Sequence, residues 1–132
     1  MRPWRTPKIQ EFSKSSHMYI TMLNQFSKKI ELDLSGNDFG NTTPETRILF
    51  DLRYLRKLIL AYNNLEGIWE LPSGLETLIL NNNKITKINA NLLHLTNLIT
   101  LDLSNNLIRD AQPLSNLAKL KFLFLKNNQV HE

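Results

Sequence analysis

One short pattern limits what this chain can fold into more than any other feature. Residues 98–108 read L-I-T-L-D-L-S-N-N-L-I, so Leu98, Leu101, Leu103, Asn106 and Ile108 follow the spacing L-x-x-L-x-L-x-x-N-x-L, with isoleucine at the last position. Leu101 and Leu103 alternate as on a short strand and point to one side. Asn106 falls where the chain turns. An inward asparagine amide there carries the donors and the acceptor needed by buried backbone groups of its own turn and of the neighbouring coil. Ile108 closes the coil from below. A coil of this kind cannot bury its apolar face alone, so others must stack on it.

The others are present. Leu55, Leu58, Leu60, Asn63 and Leu65 repeat the pattern, as do Leu75, Leu78, Leu80, Asn83 and Ile85, and finally Leu120, Leu123, Leu125, Asn128 and Val130. A weaker first copy holds Leu32, Leu34, Asn37 and Phe39, with Lys29 in place of the leading leucine. The asparagines stand at 37, 63, 83, 106 and 128, in steps of 26, 20, 23 and 22 residues. Position and spacing make all five structural rather than functional residues.

On these residues the chain resembles the leucine-rich repeat family, over roughly residues 29–132. The segment LTNLITLDLSNNLIRDAQPLSNLAKLKFLFLKNNQV is similar to repeats of internalin-like bacterial proteins and of protein phosphatase regulatory subunits. LPSGLETLILNNNKI looks instead like the short repeats of bacterial effectors. The resemblance implies an α/β fold, a right-handed solenoid with a parallel concave sheet and an irregular or helical convex side. It also implies protein binding as the usual function, without naming a partner. Extracellular members of the family often carry cysteine-rich caps; this chain has no cysteine. A reducing compartment, cytoplasmic or otherwise intracellular, is therefore the expectation.

The charge is unevenly spread. Of the net +4, residues 1–29 contribute Arg2, Arg5, Lys8, Lys14, Lys28 and Lys29 against Glu11 alone, and the remainder is nearly neutral. Two units follow: a basic arm with an amphipathic capping helix over 1–28, and a repeat array over 29–132. Ile9, Phe12, Tyr19, Ile20, Leu23 and Phe26 recur at helical spacing. Such a helix reads as a cap over the first repeat. The alternatives are a basic arm for an anionic or acidic surface and an organellar targeting segment. No apolar run approaches the 18 or so residues that span a membrane.

Between strands, Thr43 and Pro44 read as the start of a helix presenting Ile48, Leu49, Leu52 and Leu55. Residues 66–74 are too short and too rich in Gly and Pro for a helix; Ile68 and Leu71 should point inward from an extended segment, and Trp69 should pack rather than bind. Leu92, Leu93, Leu95, Leu114 and Leu117 are further interior candidates, and Pro113 opens the last convex turn. The pattern runs out just past Val130 with no cap in view. The expectation is a partner, a continuation or a second copy against that edge.

Chemistry finds little support. His17, His94 and His131 lie in distant segments, no metal-ligand spacing occurs, and neither a phosphate-cradling glycine loop nor a nucleophile elbow is present. Asp33 and Asp102 share a repeat position three coils apart, about 15 Å at the spacing of paired strands, too far to act as a carboxylate pair. The reading is a non-enzyme without metal or cofactor.

Binding fits better. Positions between the strand leucines should face out of the concave sheet: Glu31, Lys57, Thr77, Thr100 and Phe122; then Asp33, Ile59, Ile79, Asp102 and Phe124; then Ser35, Ala61, Asn81, Ser104 and Lys126. Ile59 and Ile79 with Tyr62, and Phe122 with Phe124, form two apolar spots where a neutral spacer would be polar. Strand propensity alone could also explain them. The expected partner surface is therefore Ile59, Tyr62, Ile79, Asp102, Phe122 and Phe124. Alternatives are a structural subunit of a nucleoprotein or cytoskeletal assembly anchored by the basic arm, or the recognition segment of a bacterial effector.

Overall fold

The structure, a computed structural model, describes residues 24–41 and 47–130. Five three-residue strands form one sheet: β1 Glu31–Asp33, β2 Lys57–Ile59, β3 Thr77–Ile79, β4 Thr100–Asp102 and β5 Phe122–Phe124. All neighbours are parallel and the spatial order is the chain order. The register aligns equivalent repeat positions, with Leu32 beside Leu58, Leu58 beside Leu78, Leu78 beside Leu101 and Leu101 beside Leu123. A period written in the sequence thus becomes a set of side-chain columns. Sequential parallel strands need a return path each time, and the segments between them supply it.

The return paths differ because their sequences do. Between β1 and β2 lie a short 3-10 helix, Phe39–Asn41, and α1, Arg47–Phe50; Leu49 within α1 and Leu52 and Leu55 after it are buried. The proposed Thr43 cap and Pro44 start lie outside the described residues. Residues 66–74 form no helix and bury Ile68 and Leu71. Trp69 packs against the core, its ring tilted 58° to that of Phe39 at 5.5 Å between centroids. Between β3 and β4 the chain makes α2, Ala90–Leu93, whose first turn is capped by Asn89: its Oδ1 accepts the Leu92 N–H at 3.2 Å. Leu92 and Leu95 are buried there, and Leu93 only partly. The last return is a 3-10 helix, Gln112–Asn116, started by Pro113 and burying Leu114. Asn91 and Asn97 brace the extended return against the next one, donating to the carbonyls of Ile68 at 2.8 Å and Ser73 at 3.1 Å.

The core is a ribbon of leucines running the length of the stack, from Phe26 and Leu32 to Leu114 and Leu117. Each fully buried leucine contributes about 1.5–3 kcal/mol relative to an exposed one. At the N-terminal end residues 24–26 are helical and Phe26 is buried over the first coil; the rest of the expected capping helix lies outside the described residues. At the other end the pattern breaks. Leu123 is 39% exposed, whereas its equivalents Leu58, Leu78 and Leu101 are at 0%.

Candidate functional site

The sheet face that could receive a partner is held in place by the turns that follow each strand. In each turn the residue before the inward asparagine has a left-handed backbone: Gly36 (φ 70°), Tyr62 (59°), Asn82 (60°), Asn105 (58°) and Asn127 (59°). Asparagine and glycine tolerate that conformation; a tyrosine pays for its Cβ clash. The asparagine that follows then turns inward. Asn83 Nδ2 donates to its own coil at the Leu80 carbonyl (2.9 Å) and to the preceding coil at the Leu60 carbonyl (3.0 Å). Its Oδ1 accepts the N–H groups of Asn63 and Leu65, each at 3.0 Å. Asn63 binds Leu60 and Leu34 carbonyls in the same way and accepts the Asn37 N–H at 2.7 Å. Asn106 reaches Leu103, Leu80 and the Ile85 N–H, and Asn128 reaches Leu125, Leu103 and the Ile108 N–H, all at 2.8–3.0 Å. Asn37 Nδ2 donates within its own turn, to Leu34 at 2.8 Å. Each amide from Asn63 onward therefore ties its coil to the one before.

Outside this interior ladder runs a second, exposed one. Asn127 Nδ2 donates to Asn105 Oδ1 at 2.7 Å, and Asn105 Nδ2 to Asn82 Oδ1 at 3.4 Å. Tyr62 interrupts it: its side chain is 61% exposed and its N–H donates to the Asn81 carbonyl at 3.2 Å.

On the concave face Ile59 and Ile79 are register neighbours, both half-buried, with Tyr62 exposed at the end of the same coil as Ile59. Asp102 lies beside Ile79 on one side and Phe124 on the other, half-buried, with its Oδ1 accepting the Ser104 N–H at 2.9 Å. Phe122 and Phe124 are 55% and 50% exposed. Two groups of apolar side chains thus lie in separate strands, Ile59 with Ile79 and Phe122 with Phe124, bridged by the polar Asp102. Glu31 and Lys57 approach to 3.8 Å across β1 and β2, both well exposed.

Three of the outward positions are corrected. Asp33, Ser35 and Ala61 are buried rather than presented. The Asp33 carboxylate folds back onto its own turn, where Oδ1 accepts the Ser35 N–H at 3.0 Å and hydroxyl at 2.6 Å. Ala61 is too small to rise above the neighbouring strands. The concave face is consequently narrower at its N-terminal end than the repeat pattern implies.

Sequence reasoning passed over two other surfaces. On the convex side Phe50 and Tyr54 are exposed, and Phe50 borders a depression of ≈ 440 Å³ with Leu71, Asn91 and His94. On the edge below the asparagine turns, Lys87, Ile88, Leu107, Arg109 and Pro113 line an open depression of ≈ 600 Å³. Arg109 Nε is engaged by Gln129 Oε1 at 3.2 Å. Their common signal was apolar residues in the connections. Among the described residues no group of three or more His, Asp or Glu side chains is placed to hold a metal ion, and no helix is long and apolar enough to cross a membrane.

Comparison with known proteins agrees with this geometry. The model for Leucine Rich repeats (2 copies) matches residues 73–116 and 96–132. Lumican of Gallus gallus is 36% identical over 104 residues, covering 75% of this chain and 30% of that protein. Osteomodulin of Mus musculus is 34% identical over 106 residues, covering 76% of this chain and 25% of that protein. The chain thus spans about a third or less of the length of these relatives. Among solved structures, internalin C2 of Listeria monocytogenes superposes with a TM-score of 0.71 at 33% identity, over 86% of this chain and 49% of that one. A second Listeria monocytogenes internalin, at 22% identity and a TM-score of 0.58, shares the fold over 86% of this chain and 39% of its own.

Proposed function

We propose that this chain, which belongs to the leucine-rich repeat family, is a non-catalytic module that binds a protein partner through the concave face of its sheet. One observation carries the reading. The outward column of the sheet holds Ile59, Ile79 and Phe124 where an inert spacer would hold polar groups, and Phe122 lies beside them on β5. Clustered apolar side chains on a surface of this size mark contact sites, and aromatic anchors carry much of the energy of such contacts. Tyr62 adds to this. A tyrosine in a left-handed conformation and 61% exposed reduces the stability of its own turn, and residues of that kind collect where a surface is used.

The alternative of anchorage in a large assembly by the basic arm draws on residues outside the described ones, and no observation on the sheet favours it. The test is a cross-linked pull-down from native extract with the intact chain and a Phe122→Glu/Phe124→Glu variant. Both rings are exposed, so the variant keeps its circular dichroism spectrum. Loss of a specific partner by the folded variant supports the concave face. Recovery of the same partner by both proteins overturns its C-terminal part.

A further inference from the structure

The last coil is electrostatically unlike the rest of the face. Residues 109–130 contain Arg109, Lys119, Lys121 and Lys126 against Asp110 alone. Strand alternation puts Phe122 and Phe124 on one side, about 6.5 Å apart along β5, with Lys121 directly before the first ring and the exposed Lys126 two residues past the second. Arg109 and Lys119 are engaged by Gln129 and Asn97. Lys121 and Lys126 make no ion pair among the described residues. At the opposite end of the sheet, by contrast, the outward lysine is matched: Lys57 faces Glu31. Asp102, the carboxylate beside Phe124, is turned to its own backbone by the Ser104 N–H.

Two exposed rings, with Lys121 just before β5 and Lys126 just past its end, neither lysine in an ion pair among the described residues, select a complementary surface. Resting on the reading above, we propose that the partner segment docked on β5 is an extended, acidic polypeptide. Its apolar side chains cover Phe122 and Phe124, and its carboxylates meet Lys121 and Lys126. Burial of the rings supplies most of the affinity, while the charge pairs set orientation, partner choice and encounter rate. A second copy of this chain in the same contact would set lysine against lysine. A basic segment would leave the same cations repelled.

The test is a selection from a library of random ten-residue peptides displayed on phage, using the full chain. It is repeated with Lys121→Glu/Lys126→Glu and with Phe122→Glu/Phe124→Glu, each checked by circular dichroism. The wild-type chain is expected to enrich peptides rich in Asp or Glu with interspersed apolar residues. The consensus peptide should lose about tenfold in affinity on the double lysine reversal, roughly 1.4 kcal/mol, and weaken as salt rises. Since the basic arm is intact in the lysine variant, an acidic preference that survives the reversal belongs to the arm and overturns the proposal. Enrichment of neutral or basic peptides that depends on the two phenylalanines overturns it as well, while leaving the protein-binding reading in place. Competition by a single-stranded oligonucleotide in preference to the acidic peptide overturns it in favour of a nucleic acid. No enrichment at all overturns both.

Discussion

Asn83 shows how much one side chain decides in this fold. Its Nδ2 donates to the carbonyls of Leu80 and Leu60 on two coils and, more weakly at 3.4 Å, to that of Asn81, while Oδ1 accepts two N–H groups, in surroundings almost closed to water. Replacing it with alanine leaves those backbone groups buried and unmatched, at about 1–3 kcal/mol for each that finds no water. Asn83→Ala should therefore destabilise the chain by about 3 kcal/mol or more in urea unfolding. Asn128→Ala should cost clearly less, because Asn128 is only partly buried. Tyr62 predicts the opposite sign. It occupies the left-handed position that asparagine holds in three other coils, so Tyr62→Asn should raise stability by about 1 kcal/mol, seen as a higher unfolding midpoint. If Tyr62 serves as an anchor, the same variant binds the partner less well. Greater stability with undiminished binding would remove Tyr62 from the surface.

At the scale of elements, the fit between successive coils is set by backbone approach as much as by leucine packing. Gly40, in the 3-10 helix after β1, donates its N–H to the Asn63 carbonyl at 2.8 Å, and a Cβ on it would overlap the Asn64 carbonyl. The obstacle is backbone on the next coil, which cannot rotate away. Gly40→Ala should lower stability by about 1–3 kcal/mol, with hydrogen exchange quickening first at β1 and β2. A variant of unchanged stability would mean that the two coils separate easily. The five strands and their register were legible in the sequence, because a period of leucines and asparagines fixes which residues become neighbours. The left-handed column was visible in the pairs Asn82-Asn83, Asn105-Asn106 and Asn127-Asn128, yet it is read only once the turn geometry is known. Burial of Asp33, Ser35 and Ala61 was not legible. It depends on how closely the first strands lie and on a carboxylate bonding its own turn, which no spacing records. Nor did spacing single out Phe50 and Tyr54, since the returns carry no fixed pattern.

For the whole molecule, the stack converts a linear period into one face that presents side chains in columns and another that only returns the chain. The outward candidates Ile59, Ile79, Asp102, Phe122 and Phe124 could be named from the sequence because strand alternation is independent of the rest of the fold. Their relative exposure could not, because it depends on what neighbours each coil. The internal asymmetry follows from the same arrangement: matched charges over β1 and β2, an aliphatic middle, and at β5 two exposed rings near lysines that make no ion pair among the described residues. Since exposed aromatics occur on both faces, they give a controlled comparison. A photoreactive phenylalanine analogue at Tyr62 or Phe122 on the concave side, and at Phe50 or Tyr54 on the convex side, replaces one ring by another in every case. Irradiation in native extract followed by mass spectrometry should give an adduct with a single protein from Tyr62 and Phe122, and none with that protein from Phe50 and Tyr54. An adduct formed from the convex positions alone, or no adduct from the concave ones, would contradict the account.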